Sequence, residues 1–225
     1  FIVLDRVNPI NGVTVEGPIH RGHSTFVAYH SIPLRHGMTV GELARMYAAE
    51  RSLKIDLTVI PLEGWKRAMW FDETGLPWLN PSPNMRSLRA AILYPGVGLH
   101  ESAVSVGRGT DTPFELVGAP YVNDLELAHA LNHAGLDGVR FVPVQFTPTF
   151  STFSNQLCQG VSLLLTDRDR FRAVDTGVAI GLALRHLGGT NFALAKTTNL
   201  LQSPTTQDGI ASGKPLAELS KQWTP

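Results

Sequence analysis

Asp5-Arg6 with Asn8, Glu16 beside Gly17, and Arg35-His36-Gly37 place two carboxylates, two guanidiniums and an imidazole within 32 residues. Carbohydrate and phosphate sites use such sets, because arginine offers a planar fork of N–H donors that matches an anion in two bonds at once. The same residues also fit a structural network in which Asp5 pairs with Arg6 or Arg35. Further along, Gly107-Arg108-Gly109-Thr110 flanks an arginine with glycines. Glycine lets backbone and ligand approach closely, and the alternative is a tight turn with a solvated arginine. No Gly-Lys-Ser/Thr follows, so this is not a nucleotide phosphate loop. Glu101 can point into the same loop cluster or stand on the surface.

Other chemistry has weaker support. His129 and His133 are spaced for one helical face, but the intervening Ala-Leu-Asn lacks the glutamate of a zinc-protease motif. His20 and His23 flank Arg21-Gly22 in a loop, and neither pair is read as a metal site. No cofactor is expected. The lone Cys158 reads as a small core residue. Trp65, Trp70, Trp78 and Tyr94 are candidates for stacking on sugar rings, or for anchoring a proline-rich loop.

These groups need elements to hold them. Hydrophobic residues make up 43% of the 225-residue chain and charged residues 17%, enough apolar material for a core. Lys+Arg 19 against Asp+Glu 19 gives no net charge, which disfavours a nucleic-acid partner. No apolar run is long enough for a membrane span. Residues 1–5 read as a parallel strand whose carboxyl end carries the 5–12 loop, the place where open α/β sheets bind ligands. Residues 26–29 and 57–60 suggest strands. Thr39-Val-Gly-Glu42 is a capping box opening a helix over 40–50. Residues 61–87 carry four prolines and cannot stay regular for long. Helices are expected over 86–93, 125–134 and 176–187, strands over 142–146 and 161–166, and glycine-punctuated loop from Gly96 to Gly109. The 203–215 segment reads as an irregular tail before a last short helix. Strands alternating with helices mean α/β. The chain opens in mid-strand without an initiator Met or a basic leader, so upstream sequence is expected to precede it.

Nine segments also come in a familiar order. They are Leu4-Asp5-Arg6-Val7-Asn8-Pro9-Ile10, Val15-Glu16-Gly17-Pro18, Pro33 to Leu43, Trp70 to Leu76, Pro81-Ser82-Pro83-Asn84-Met85, Tyr94-Pro95-Gly96, Gly107-Arg108-Gly109-Thr110, Pro113-Phe114-Glu115 and Phe146-Thr147-Pro148-Thr149-Phe150. The series resembles the bacterial exo-β-N-acetylmuramidase family of the NamZ type, closely over residues 1–170 and loosely beyond. Val7 departs from the proline usual there.

The resemblance implies the back part of a Rossmann-like catalytic domain over 1–90 and a smaller α/β domain over 91–225, with a wide cleft between. It implies release of β-1,4-linked N-acetylmuramic acid from the non-reducing ends of peptidoglycan fragments, in a secreted or periplasmic protein. The family's proposed acid is the glutamate of an upstream Gly-Pro-Glu-His-Gly segment. That segment has no counterpart in these residues, so the chain alone is expected to be inactive.

Cleavage needs a proton donor and a second group, a carboxylate or the sugar's own acetamido carbonyl. On this reading Asp5 and Glu16 are the candidate second carboxylates, and His36 orients a group or shuttles a proton. Arg35 and Arg108 are candidates for the lactyl carboxylate of muramic acid. Arg6, Asn8, Asn84, Glu101, Gly109 and Thr110 are further candidates for substrate binding. The loops at 5–8, 35–37 and 107–110 are expected to converge. The rival is a non-catalytic carbohydrate-binding or pseudoenzyme module. A nucleotide-binding α/β domain is disfavoured, since no glycine-rich phosphate loop follows a strand.

Overall fold

The computed structural model describes residues 1–20 and 25–223. In chain order the elements are β1 (Ile2–Leu4), β2 (Glu16–Ile19), β3 (Pro33–Arg35), α1 (Val40–Glu50), β4 (Thr58–Ile60), α2 (Leu88–Val97), β5 (Leu116–Ala119), α3 (Asp124–Asn132), β6 (Val139–Phe146), β7 (Cys158–Leu165), α4 (Ala173–Gly188), α5 (Thr198–Leu201), α6 (Pro204–Ala211) and α7 (Leu216–Ser220). The fold is mixed α/β. Its contacts divide it into two compact units, one of Phe1–Val15 with Arg35–Trp78, the other of Glu16–Leu34 with Leu79–Pro225.

In the first unit β1 pairs in parallel with β4, Val3 opposite Val59, and α1 packs on that pair. The capping box holds: the Thr39 hydroxyl accepts from Glu42 N at 3.2 Å, and Glu42 Oε2 accepts from Thr39 N at 2.9 Å. Both bonds lie within four residues, which is why this helix start is visible in sequence. The proline-rich stretch after β4 holds only a 3₁₀ turn, Phe71–Thr74. Trp70 is buried there, whereas Trp65 and Trp78 are half-buried, Trp78 edge-on to Phe71.

The second unit centres on an antiparallel sheet of order β5-β7-β6. Strand β6 returns directly as β7 through the 147–157 loop, and a chain that folds straight back pairs antiparallel. Helix α3 packs on β6 and β7. Cys158 begins the central strand fully buried, its thiol pushed up to about 11 by burial. Helices α2 and α4 cross with their backbones touching: a Cβ built on Gly96 would fall 1.9 Å from the Ala173 carbonyl oxygen. Gly96 therefore belongs to α2, not to a loop, because its missing side chain is what admits α4. His100 is fully buried beneath this crossing and bonds the Gly177 carbonyl through Nε2 at 2.7 Å.

Two further expectations change. Residues 26–29 form no strand, and the Phe26 side chain is fully exposed. Strands β2, β3 and β5 have no counterpart among the strands expected from the sequence. The 203–215 segment contains α6, capped by Ser203 accepting from Thr206 N and closed against Trp223, whose Nε1 donates to Thr206 Oγ1 at 3.1 Å. No helix among the described residues is long and apolar enough to cross a membrane.

Candidate functional site

The carboxyl end of β1 is fastened to the start of α1 by Asp5. Its Oδ1 accepts from Gly41 N at 2.8 Å and from Arg6 N at 2.9 Å, and its Oδ2 accepts from the Thr39 hydroxyl at 2.9 Å. A carboxylate among the free amides of a helix N-terminus is stabilised by their dipoles. A Cβ at position 41 would come within 2.7 Å of the Asp5 carboxyl carbon, so glycine is needed there. Asn8 donates from Nδ2 to the Met38 carbonyl at 3.1 Å. Arg35 is buried, donating from Nη2 to the Ile10 carbonyl with its guanidinium over the Trp70 ring at 5.6 Å. Asp5, Asn8 and Arg35 thus hold the 5–12 loop and the 35–39 turn together. Arg6 is exposed beside them. His36 is half-buried, its pKa lowered by burial. Its Nδ1 accepts from Met38 N at 3.1 Å, which leaves the proton of the neutral ring on Nε2.

Glu16 lies in the second unit and is 3% exposed. Its Oε2 accepts from Val174 N at 3.0 Å in the first turn of α4. Asp175 shares that turn. Burial raises its pKa and the Glu16 charge adds to the rise, while Arg172 opposes both.

Glu101, Gly109 and Thr110 surround Arg108 in this unit. Gly107 and Gly109 both have left-handed backbone, φ 76° and 87°, so the glycines are required by the turn. Thr110 closes it, its amide and hydroxyl both donating to the Gly107 carbonyl, at 3.1 and 2.6 Å. Arg108 Nη1 lies 3.0 Å from Glu101 Oε2. Arg108 Nε is buried and has no hydrogen-bond partner among the described residues. Tyr94 stands in the field of this pair. Burial raises its hydroxyl pKa, Glu101 raises it further, and Arg108 works against them. Arg86 donates to the Thr110 carbonyl at 3.4 Å, and Asn84 is buried in the turn just before it. The 5–8 and 35–37 loops belong to the first unit and the 107–110 turn to the second.

The histidine pairs singled out in the sequence make no metal site among the described residues. His129 and His133 stack at the exposed end of α3, with His133 Nδ1 on the His129 carbonyl at 2.8 Å. His20 Nε2 meets Gln202 Oε1 at 3.2 Å, and His23 lies outside the described residues. Among the described residues no three His, Cys, Asp or Glu side chains group to hold a metal.

Residues 1–89 match the family model described as exo-beta-N-acetylmuramidase NamZ, N-terminal, and residues 92–225 the one described as exo-beta-N-acetylmuramidase NamZ, C-terminal. The chain belongs to the NamZ family. The motif resemblance is therefore borne out. A curated NamZ relative, the peptidoglycan beta-N-acetylmuramidase NamZ of Bacillus subtilis (strain 168), is 47% identical over 199 residues, covering 88% of this chain and 48% of the relative. The chain spans about half the length of that relative. Two solved structures of DUF1343 family proteins from Bacteroides fragilis NCTC 9343 share the fold. One superposes with TM-score 0.82 at 27% identity, over 100% of this chain and 65% of that one. The other gives 0.75 at 29% identity, over 99% and 61%.

Two residues of this NamZ chain escaped the sequence reading. Arg67 Nη1 donates to the Gly12 and Gly37 carbonyls at 3.0 and 3.1 Å, while Nη2 pairs with Glu42. It bridges two loops that the sequence had singled out, but its own surroundings, Trp65-Lys66-Arg67, look like an ordinary charged surface. Asp175 becomes interesting only through Glu16, 159 residues earlier. A carboxylate in the first turn of a helix is otherwise commonplace.

Proposed function

We propose that this chain recognises the muramyl unit in a protein that removes β-1,4-linked N-acetylmuramic acid from the non-reducing ends of peptidoglycan fragments. The observation that carries this reading is the Arg108 turn. It presents a guanidinium fixed by Glu101, with 34% of its side chain exposed. A muramyl unit differs from a glucosaminyl one by a lactyl ether bearing a carboxylate, and a held guanidinium is the group that reads such an anion. Arg35 is buried against Ile10 and Trp70, which supports a holding role for it and leaves the anion to Arg108. The similarity to a relative named for muramidase activity points the same way.

In the reaction the bond from the sugar's anomeric carbon to the leaving oxygen breaks, that oxygen takes a proton, and water supplies oxygen to the anomeric carbon. We assign the proton donor to the glutamate of the family's Gly-Pro-Glu-His-Gly segment, which these 225 residues do not contain. Asp5 and Glu16 position the starts of α1 and α4. Their engaged oxygens favour the substrate's own acetamido carbonyl as the second group. His36, whose Nδ1 accepts from Met38 N and so leaves the ring proton on Nε2, and the exposed Arg6 are the first unit's candidates for a ligand. In the second, Arg108 is the group for the lactyl carboxylate, and Thr110 closes the turn that holds it. Such a substrate implies a secreted or periplasmic protein.

The test is hydrolysis of a chromogenic β-N-acetylmuramide by this chain and by the product of its full reading frame. Activity in the second and not the first is expected. Absence of hydrolysis in both, with intact binding of the sugar, would favour the binding-module alternative.

A further inference from the structure

We propose that residues 148–155 form a rigid wall of the Arg108 subsite and that the Phe150 ring packs against the apolar C–H face of the muramyl sugar. The proposal rests on the muramyl reading above.

The loop between β6 and β7 has an uncommon backbone. Ser151, Phe153 and Asn155 adopt left-handed conformations, φ 73°, 61° and 59°, although none is glycine. For a bulky aromatic this is costly, and it persists only where the surroundings impose it. Here they do. The Thr149 amide and hydroxyl both donate to the Gly109 carbonyl, at 3.0 and 2.9 Å. The Thr152 hydroxyl donates to the Glu101 carbonyl at 2.9 Å. The Phe153 ring stands edge-on to Tyr121 at 6.0 Å. Asn155 N returns to the Pro148 carbonyl at 2.7 Å and closes the loop.

The two outer anchors are the neighbour of Arg108 and its ion-pair partner. A Cβ on Gly109 would lie 2.6 Å from Phe150 N and 2.7 Å from Thr149 N. The close approach that the glycine permits is therefore made by this loop. The strained loop is thus bolted to the Arg108 turn from both sides.

What it holds out is apolar. Phe150 is 46% exposed. A lone exposed phenylalanine on an ordinary surface needs no explanation. On a strained loop whose backbone is held against Gly109, the neighbour of Arg108, it is a preorganised platform. Its ring complements what the guanidinium does not touch: the arginine takes the lactyl carboxylate and the ring takes the C–H face of the pyranose.

The test is calorimetric titration of the full-reading-frame protein with N-acetylmuramic acid and, separately, N-acetylglucosamine. Phe150→Ala should weaken both sugars by about tenfold, since both share the ring face. Phe150→Tyr should retain wild-type affinity, and Arg108→Lys should weaken N-acetylmuramic acid selectively. Unchanged affinity in Phe150→Ala, with Arg108→Lys still selective, overturns the platform and leaves the muramyl reading standing. Failure of the wild-type full-reading-frame protein to bind N-acetylmuramic acid overturns both. A thermal melt accompanies each variant.

Discussion

Arg108 and Glu101 form an ion pair with Nη1 and Oε2 3.0 Å apart, in which the arginine is 34% and the glutamate 23% exposed. A pair this open adds only ~0–1 kcal/mol to stability. Its effect is on orientation, because it fixes which edge of the guanidinium remains for a ligand.

In the full-reading-frame protein, Arg108→Lys should therefore lower kcat/KM for a muramide by ~10–100-fold, since the charge survives and the fork does not. Glu101→Gln should cost several-fold less and act mainly through KM, as expected of a residue that works through another. Steady-state kinetics with a parallel melt checks this. Arg108→Lys with wild-type kcat/KM would remove the residue from the site, and a collapsed melt would make the turn purely structural.

Gly177 sits where α4 meets α2, and a Cβ there would fall 2.6 Å from the Gly96 Cα. Backbone cannot yield as a flexible side chain can. Gly177→Ala should force the helices apart and cost ~1–3 kcal/mol, lowering Tm by roughly 2–10 °C. An unchanged Tm in scanning calorimetry would mean that the crossing relaxes freely.

His100 predicts an acid dependence of stability. Its Nε2 bonds the Gly177 carbonyl, and its buried Nδ1 has no partner among the described residues. Charging the ring would put a proton on that unpartnered nitrogen, and burial lowers the pKa from 6.5 to about 4. The unfolded state binds the proton more readily, so this stability is fully present above pH 6.5 and is lost as pH falls toward 4. The loss is on the order of 3 kcal/mol. His100→Gln keeps an N–H donor without a titrating proton. Denaturant midpoints measured between pH 7 and pH 4 should fall less steeply in that variant, and parallel curves would exclude His100 as the cause.

Glu16 offers a cleaner division between holding and chemistry. Its bond to Val174 N lies in the first turn of α4, so Glu16→Ala should cost ~1–2 kcal/mol through the lost cap. Urea midpoints should drop with an unchanged slope. An unshifted midpoint with abolished muramide hydrolysis would make Glu16 a catalytic carboxylate instead.

Features set by neighbours in the chain were readable from the residues alone. The α1 start needs only Thr39 and Glu42, three residues apart. The α4 helix shows its apolar face over several turns and stops at glycines. The Gly107-Arg108-Gly109 run offers a tight turn as one of its two readings, and the ordered motifs carry the family. Tertiary structure decided whatever depends on a partner far along the chain. Arg35 looked like an open ligand fork until Ile10 and Trp70 buried it. Glu16 needed Val174 to become a helix cap, Gly96 needed Gly177 to be helical, and Phe150 needed Gly109 and Glu101 to be held out. Backbone dihedrals and short-range hydrogen bonds are local properties of residue type, whereas burial and the pairing of a charge are properties of the packed whole.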